Sequence, residues 1–208
     1  MQKIDPESKI MQAMTFLADV ILLSLLFVLT SLPIVTIGAS ATALYSVFRR
    51  HQKETTSVVA AFFRAFSANW KPATLSWLIQ LVLTALLVWD LWYLQLSGSG
   101  LSAVLRVAAI VLLVVLTTAA SLVYPQIARY ENKLGRYWKN ALLLCFPKLW
   151  LLFLNLLLFF LPEALLLFRP DIYRYLLALR VMLLFGFQFY ISSLLMERLF
   201  LTLEAGGR

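Results

Sequence analysis

Charged side chains inside long apolar stretches are the residues of this sequence whose types could do chemistry. They are Asp19, Asp90, Arg106, Glu163 and Arg180. A charge in the interior of a membrane is costly, so such a residue usually has a partner or a functional role. For Asp19 three alternatives stay open: an ion pair with a neighbouring helix, a cap at the helix start, or a proton relay.

Two of these charges flank a short glycine-rich turn. Asp90 lies eight residues before Gly98, and Arg106 lies eight residues after it. At about 1.5 Å per residue, both lie at similar depth in one helical hairpin. We therefore expect their side chains to face each other, directly or through one water molecule. A structural ion pair near the outer interface is favoured over a substrate site.

Glu163 and Arg180 have a similar arrangement around the next outer loop. If the two hairpins are neighbours, an outward-facing polar cavity holds four of the five charges. Three aromatic residues lie near it: Trp89, Trp92 and Tyr93. Such a cavity would suit sugar hydroxyls, but the same aromatic residues form an interfacial belt in most membrane proteins. The belt is the favoured interpretation.

Five apolar stretches must position these charges. About 20 apolar residues cross a hydrocarbon layer of about 30 Å. The predicted spans are about 14–35, 73–96, 102–124, 141–161 and 175–196. Hydrophobic residues make up 62% of the chain and charged residues 13%, whereas about a quarter of a soluble domain is charged. The sequence therefore predicts an all-α polytopic bundle of about five spans with short interfacial helices. It forms one domain over 1–208, with the lipid bilayer around it.

Basic residues are concentrated in two of the gaps, 36–72 and 125–140. Cytoplasmic loops are rich in Lys and Arg, so we assign both segments to the cytoplasm. Five spans then place the N-terminus outside the cell membrane and the C-terminus in the cytoplasm. The net charge of +8 follows from this topology, and no nucleic-acid partner is expected. The residues expected to contact a partner or anionic lipid are Arg49, Arg50, Arg129 and Lys139.

Local sequence features predict how the first basic segment is built. Residues 56–70 are predicted to form a separate helix, either at the membrane interface or tucked under the bundle, because their apolar residues recur on one face. Pro33, Gly38 and Pro125 are expected to end or break helices near the cytoplasmic side. A cofactor, a metal site and an enzymatic activity are not expected. His51 is the sole histidine and Cys145 the sole cysteine of the chain, and no glycine-rich phosphate loop follows a strand.

Three blocks of sequence, in order, carry a family resemblance. The first is SLPIVTIG followed by ALY, within 31–45; the second holds FFRAF, NWK and ATL, within 62–75; the third holds YP, ARY and KNALLL, within 124–144. They resemble the YesL-like family of bacterial integral membrane proteins, a domain of unknown function. The family has no settled activity and no agreed functional residues. The resemblance implies a role associated with carbohydrate uptake and sugar degradation.

Three hypotheses about function follow. The first is an accessory or regulatory component of a carbohydrate-uptake system, with a sugar-transporter permease as partner. The second is a small carrier or channel, alone or as a homo-oligomer, that uses Asp19, Asp90, Arg106 and Arg180. The third is a membrane scaffold without a ligand. A continuous polar cavity reaching the middle of the membrane would favour a carrier. A closed bundle with an apolar groove at the cytoplasmic side would favour partner binding.

Overall fold

The described part of the chain consists of helices joined by short turns, and it contains no strand. The computed structural model describes residues 6–50, 57–96, 100–145, 149–168, 177 and 179–206. The helices are α1 (Pro6–Ser31), α2 (Ile37–Arg50), α3 (Val58–Leu96), α4 (Gly100–Arg129), α5 (Leu134–Cys145), α6 (Leu149–Phe168) and α7 (Phe185–Gly206). A 3-10 turn over Ile34–Thr36 joins α1 to α2, and a π-helical turn over Arg180–Leu184 precedes α7. The predicted all-α class is confirmed.

Four helical segments within the described residues are long and apolar enough to cross a membrane. They are Ile10–Ser31, Val58–Leu96, Leu101–Arg129 and Arg180–Thr202. These four segments indicate a multi-pass membrane protein. The predicted span 141–161 is described in two parts, the end of α5 up to Cys145 and α6 from Leu149. The residues between these two parts lie outside the described residues. The described apolar part of α6, Leu152–Leu161, is shorter than the four spans.

Two predicted helix breaks are absent from the structure. The separate interfacial helix over 56–70 is a wrong prediction, because α3 is one helix of 39 residues that continues through Pro72. In the same way α4 passes Pro125 and ends at Arg129. A proline removes one hydrogen bond from a helix. Ala73 follows Pro72 and Gln126 follows Pro125, and both residues are buried.

The short helix α2 is buried within the bundle. Every residue from Gly38 to Phe48 is buried. The first half of α2 consists mostly of small residues. Small residues allow close approach of helix backbones in membrane proteins. Trp77 of α3 donates a hydrogen bond from its indole nitrogen to the Ile34 carbonyl oxygen, at 2.7 Å. This bond fixes the turn before α2 against α3.

The helix α2 folds back along α1. The hydroxyl oxygens of Thr30 and Ser40 are 2.9 Å apart across the turn. Farther along, the rings of Phe16 and Phe48 both contact the ring of Tyr190, at centroid distances of 4.9 Å and 5.5 Å. The start of α1 and the end of α2 therefore lie toward the same side. The sequence prediction placed the N-terminus and segment 36–72 on opposite sides, because counting spans does not detect a short helix that turns back.

The buried residues form two packed clusters. One lies between α4, α5, α6 and α7 and contains Leu122, Leu152, Met196 and Leu199. The other surrounds α2 and contains Leu23, Leu44, Phe62 and Phe189. The second half of α3 and the first half of α4 instead expose most of their large apolar side chains. This exposed apolar surface is the one that lipid would cover.

Candidate functional site

The two basic segments meet at one end of the bundle. We call this the basic end and define it by Arg49, Arg64, Arg129, Lys133, Arg136 and Lys139. A guanidinium nitrogen of Arg49 donates a hydrogen bond to the Ala128 carbonyl oxygen, at 3.2 Å. This bond joins the end of α2 to the last turn of α4. A cation at this position also compensates the negative end of the α4 dipole.

Arg129 ties the end of α4 to the end of α7. Its guanidinium lies 3.0 Å from a carboxylate oxygen of Glu197 and donates to both carboxylate oxygens of Glu204, at 3.0 Å and 3.1 Å. The Tyr130 hydroxyl donates to Glu204 at 2.6 Å. The guanidinium carbon also lies 5.4 Å from the Tyr130 ring centroid and 5.5 Å from that of Phe200. Hydrogen-bonded pairs of this kind hold both partners in fixed positions.

This network predicts a pH dependence of stability. The Tyr130 hydroxyl and the Arg129 guanidinium lower the pKa of Glu204. A carboxyl group whose pKa is lowered by folding stabilises the fold above its unfolded pKa, about 4.3 for Glu. This stabilisation disappears as the pH falls through the lowered value. We expect Glu204→Gln to have a lower melting temperature than wild type at pH 7, and the difference to vanish at acid pH.

The measurement is thermal unfolding of both purified proteins in detergent at pH 7 and at a pH below 4. Glu131→Gln is the matched control, because Glu131 is exposed on the loop that follows α4. A difference between Glu204→Gln and wild type of equal size at both pH values would show that the carboxylate charge is not the cause.

A cavity of about 440 Å³ opens at the basic end between α2, α3, α4 and α5. Its polar lining residues include Ser46, Arg49, Arg64, Asn69, Asn132 and Tyr137. Tyr137 organises the loop at its edge, since its hydroxyl donates to the Tyr130 carbonyl oxygen at 2.7 Å and accepts from the Asn132 N–H at 2.9 Å. The cavity wall is thus built from hydrogen-bonded elements.

A groove of about 410 Å³ lies beside this cavity, between α4, α5 and α7. We call it the α5–α7 groove. It is lined by Gln126, Tyr130, Asn132, Asn140, Leu143, Leu144, Phe200 and Glu204. Three of these residues are apolar, and the other five offer hydrogen-bonding groups. Lys139 and Arg136 are exposed on the adjacent turns of α5.

Polar side chains in the middle of the helices bond to one another. The Tyr124 hydroxyl donates to the Gln80 amide oxygen at 2.5 Å. The Ser192 hydroxyl donates to the Asn155 amide oxygen at 2.5 Å and lies 2.6 Å from the Tyr45 hydroxyl. Hydrogen bonds of this kind across membrane helices contribute about 0.6–2 kcal/mol each. The amides of Gln80 and Asn155 therefore join neighbouring helices.

The predicted pair of Asp90 and Arg106 is not joined in the structure. No hydrogen bond or ion pair connects these two described side chains. Arg106 instead donates from Nε to the Ser102 carbonyl oxygen of its own helix, at 3.3 Å, and Asp90 is exposed. Residue counting fixes the depth of a side chain along a helix but not its direction around the axis. A direct contact is therefore absent between these described side chains, and the arrangement through one water molecule stays a prediction.

The other predicted intramembrane charges have different surroundings. Arg180 is buried in the π-helical turn, with its guanidinium carbon 4.8 Å from the centroid of the Phe185 ring. Asp19 lies half buried on α1. The side chains of Glu163 and Arg50 lie outside the described residues. The four-charge outer cavity, which depends on Glu163, is therefore not tested.

The residues expected to contact partners divide into two groups. Arg49 and Arg129 are engaged in the internal bonds described above, whereas Lys139 is exposed on α5. Sequence reasoning missed the acidic partners of Arg129. Glu197 and Glu204 are seven residues apart and thus share one face of α7. This seven-residue spacing was the feature of the sequence that could have indicated an acidic face on α7. Over the described residues, no group of three or more His, Cys, Asp or Glu side chains could hold a metal ion.

Comparison with known protein families gives a match to the first part of the chain. A family described as "Protein of unknown function, DUF624" matches residues 20–91. No curated protein and no solved structure matches the chain. The matched range contains the second half of α1, all of α2 and most of α3. Over these helices the chain is similar to a family of proteins of unknown function.

Proposed function

We propose that this protein is an accessory or regulatory component of a carbohydrate-uptake system in the cell membrane, without enzymatic activity of its own. The sequence resemblance supplies the link to carbohydrate uptake. The basic end supplies the surface through which the protein would act. In this proposal the basic end faces the cytoplasm, as the excess of Lys and Arg favours. The C-terminal end of α7 lies there with it, since Glu204 binds Arg129.

The α5–α7 groove is the observation that carries this proposal. Leu143 and Leu144 present an apolar surface beside Phe200, and amide and carboxylate groups surround it. An apolar centre with a polar rim is the usual anatomy of a protein interface. The exposed cations Arg136 and Lys139 on α5 would favour a partner segment that carries acidic residues. A cytoplasmic segment of a sugar-transporter permease is the proposed occupant.

The packing of the bundle favours partner binding over independent transport. The chain from Tyr45 through Ser192 to Asn155 links α2, α7 and α6, and each of these side chains bonds to another. A transport pathway needs polar groups that can exchange partners with the transported molecule. In this bundle Tyr45, Ser192 and Asn155 instead fasten three helices to one another.

Co-purification with a co-expressed sugar-transporter permease tests the proposal. Lys139→Glu reverses an exposed charge beside the groove, and we expect it to reduce the permease retained on the tagged protein by about tenfold. Lys71→Glu is the matched control, because Lys71 is an exposed lysine on α3 away from the groove, and it should retain the permease. Failure of the wild-type protein to retain the permease would refute the proposal. Sugar uptake by the protein alone in liposomes would favour the carrier hypothesis instead.

A further inference from the structure

The hairpin formed by the second half of α3 and the first half of α4 stands apart from the two packed clusters. Among residues 81–96 of α3 none is buried, and among residues 101–114 of α4 only Ser102 and Ala109 are buried. These two helix halves therefore pack mainly against each other. Their remaining faces are open to lipid or to another protein.

The hairpin carries two opposite charges at the same depth. Asp90 lies six residues before the end of α3, and Arg106 lies six residues after the start of α4. At about 1.5 Å per residue, each charge is about 9 Å from the hairpin end of its helix. Residues 91–105, which form the tip of the hairpin beyond these two, carry no charge. Both charged groups therefore lie beneath an uncharged, mostly apolar tip.

Neither charge has an opposite charge as its partner within the described part of the chain. Asp90 is exposed and makes no hydrogen bond or ion pair with the described residues. Arg106 is half buried and bonds there only through Nε, to the Ser102 carbonyl oxygen, so its two terminal nitrogens keep their donors. Acyl chains offer no hydrogen-bonding groups, and charged side chains in membrane helices usually pair with one another.

We propose that a second copy of this chain binds along the hairpin, with Asp90 of one copy paired to Arg106 of the other. Copies that cross one membrane in the same orientation are related by rotation about the membrane normal, so each residue keeps its depth in every copy. Opposite charges at equal depth make the hairpin complementary to itself. An unrelated partner would need its own charges of both signs at this depth, whereas a second copy carries them already.

The surroundings of Asp90 suit a contact between proteins. Trp89 and Tyr93 lie near it on α3, and both are exposed. Trp, Tyr and Arg are the residues that most often dominate the binding energy of protein interfaces. Exposed apolar side chains of both helices, such as Leu86 and Val107, would supply the rest of the contact. A charge-assisted hydrogen bond from the guanidinium to the carboxylate would fix the register of the two copies.

Self-association of the full-length protein in phosphatidylcholine vesicles is the direct test, measured by energy transfer between donor-labelled and acceptor-labelled copies. We expect wild-type copies to associate. Asp90→Asn keeps the shape of the side chain and removes its charge, so it should weaken association about tenfold, the usual effect of losing one charge-assisted hydrogen bond. Lys71→Gln is the matched control, because Lys71 is an exposed charge of α3 far from the hairpin, and it should associate as wild type does.

Charge reversal separates a pair between copies from a water-mediated pair within one hairpin. Asp90→Arg gives each copy two positive charges at this depth, and Arg106→Asp gives each copy two negative charges. Each variant alone should therefore associate less than wild type. Mixed in the same vesicles, the two variants complement each other, and energy transfer between them should return toward the wild-type level. A pair within one hairpin would stay broken in this mixture.

Three results would overturn the proposal. They are wild-type copies that do not associate, Asp90→Asn copies that associate as tightly as wild type, and a mixture of folded charge-reversed variants that associates no better than either variant alone. If the charge-reversed variants do not fold, Asp90→Asn decides, because loss of a pair within one hairpin would not weaken association between copies. The inference does not depend on the proposed permease contact, which lies at the basic end.

Discussion

Replacing Gly38 by valine is expected to destabilise the protein by about 3 kcal/mol or more. A Cβ atom at this position would lie 2.7 Å from the Cβ of Trp77 and 3.1 Å from a ring carbon of Tyr124, and it would also collide with the Ala73 carbonyl oxygen. Backbone and Cβ atoms cannot rotate away as the end of a flexible side chain can. Valine at position 38 would therefore separate α2 from α3 and α4.

Gly135→Val is the matched control, because a Cβ atom at Gly135 meets no other atom within 4 Å. Glycine is also the weaker helix former of the two residues, so this control should be neutral or slightly stabilising. Size-exclusion chromatography of detergent extracts after heating gives the melting temperature of each variant. Equal melting temperatures for the Gly38 and Gly135 variants would show that α2 does not pack at the distance described.

Replacing Asn155 by aspartate is expected to have a similarly large effect. Asn155 is fully buried, and its amide oxygen accepts the hydrogen bond from Ser192. The substitution keeps the shape of the side chain but introduces a carboxylate. An Asp near the centre of a membrane helix costs about 2.5–3.5 kcal/mol. The neutral variant Asn155→Leu loses only the hydrogen bond and should be destabilised by about 1–2 kcal/mol.

Asn140→Asp is the control for the same chemical change. Asn140 is half buried on α5 at the basic end, where water can reach a carboxylate. We expect this variant to melt within a few degrees of wild type, while Asn155→Asp gives a low yield of folded protein. If the two aspartate variants had equal melting temperatures, the interior around Asn155 would have to be accessible to water.

Hydropathy and charge predicted the features of the fold that depend on whether a segment partitions into lipid or into water. The helical class and the grouping of the basic segments are of this kind, since Arg49 and Ala128 come from different basic segments and meet. The burial of α2 could not be predicted in this way. Its small residues between Gly38 and Ala43 are compatible with either a surface or an interior. Whether α2 lies at the surface or in the interior depends on the residues that it packs against, among them Ala73 and Trp77.

The candidate site shows the same limit. Asp90 and Arg106 were placed at matching depth, but their contact also requires two helix rotations that hydropathy does not determine. The pairing of Arg129 with Glu197 and Glu204 depends on which face of α7 meets α4. The seven-residue spacing of the two acids indicates a shared face. The spacing does not indicate which helix packs against this face of α7.

The continuity of α3 has a mechanical consequence. Its 39 residues extend over about 58 Å, nearly twice the thickness of the hydrocarbon layer. One helix thus connects the cavity wall at the basic end to the apolar hairpin at the other end of the bundle. In a helix of this length, a tilt of about 5° displaces the far end by about 5 Å. A change in bilayer thickness at the end of α3 that is far from the basic end would therefore displace the cavity wall at the basic end.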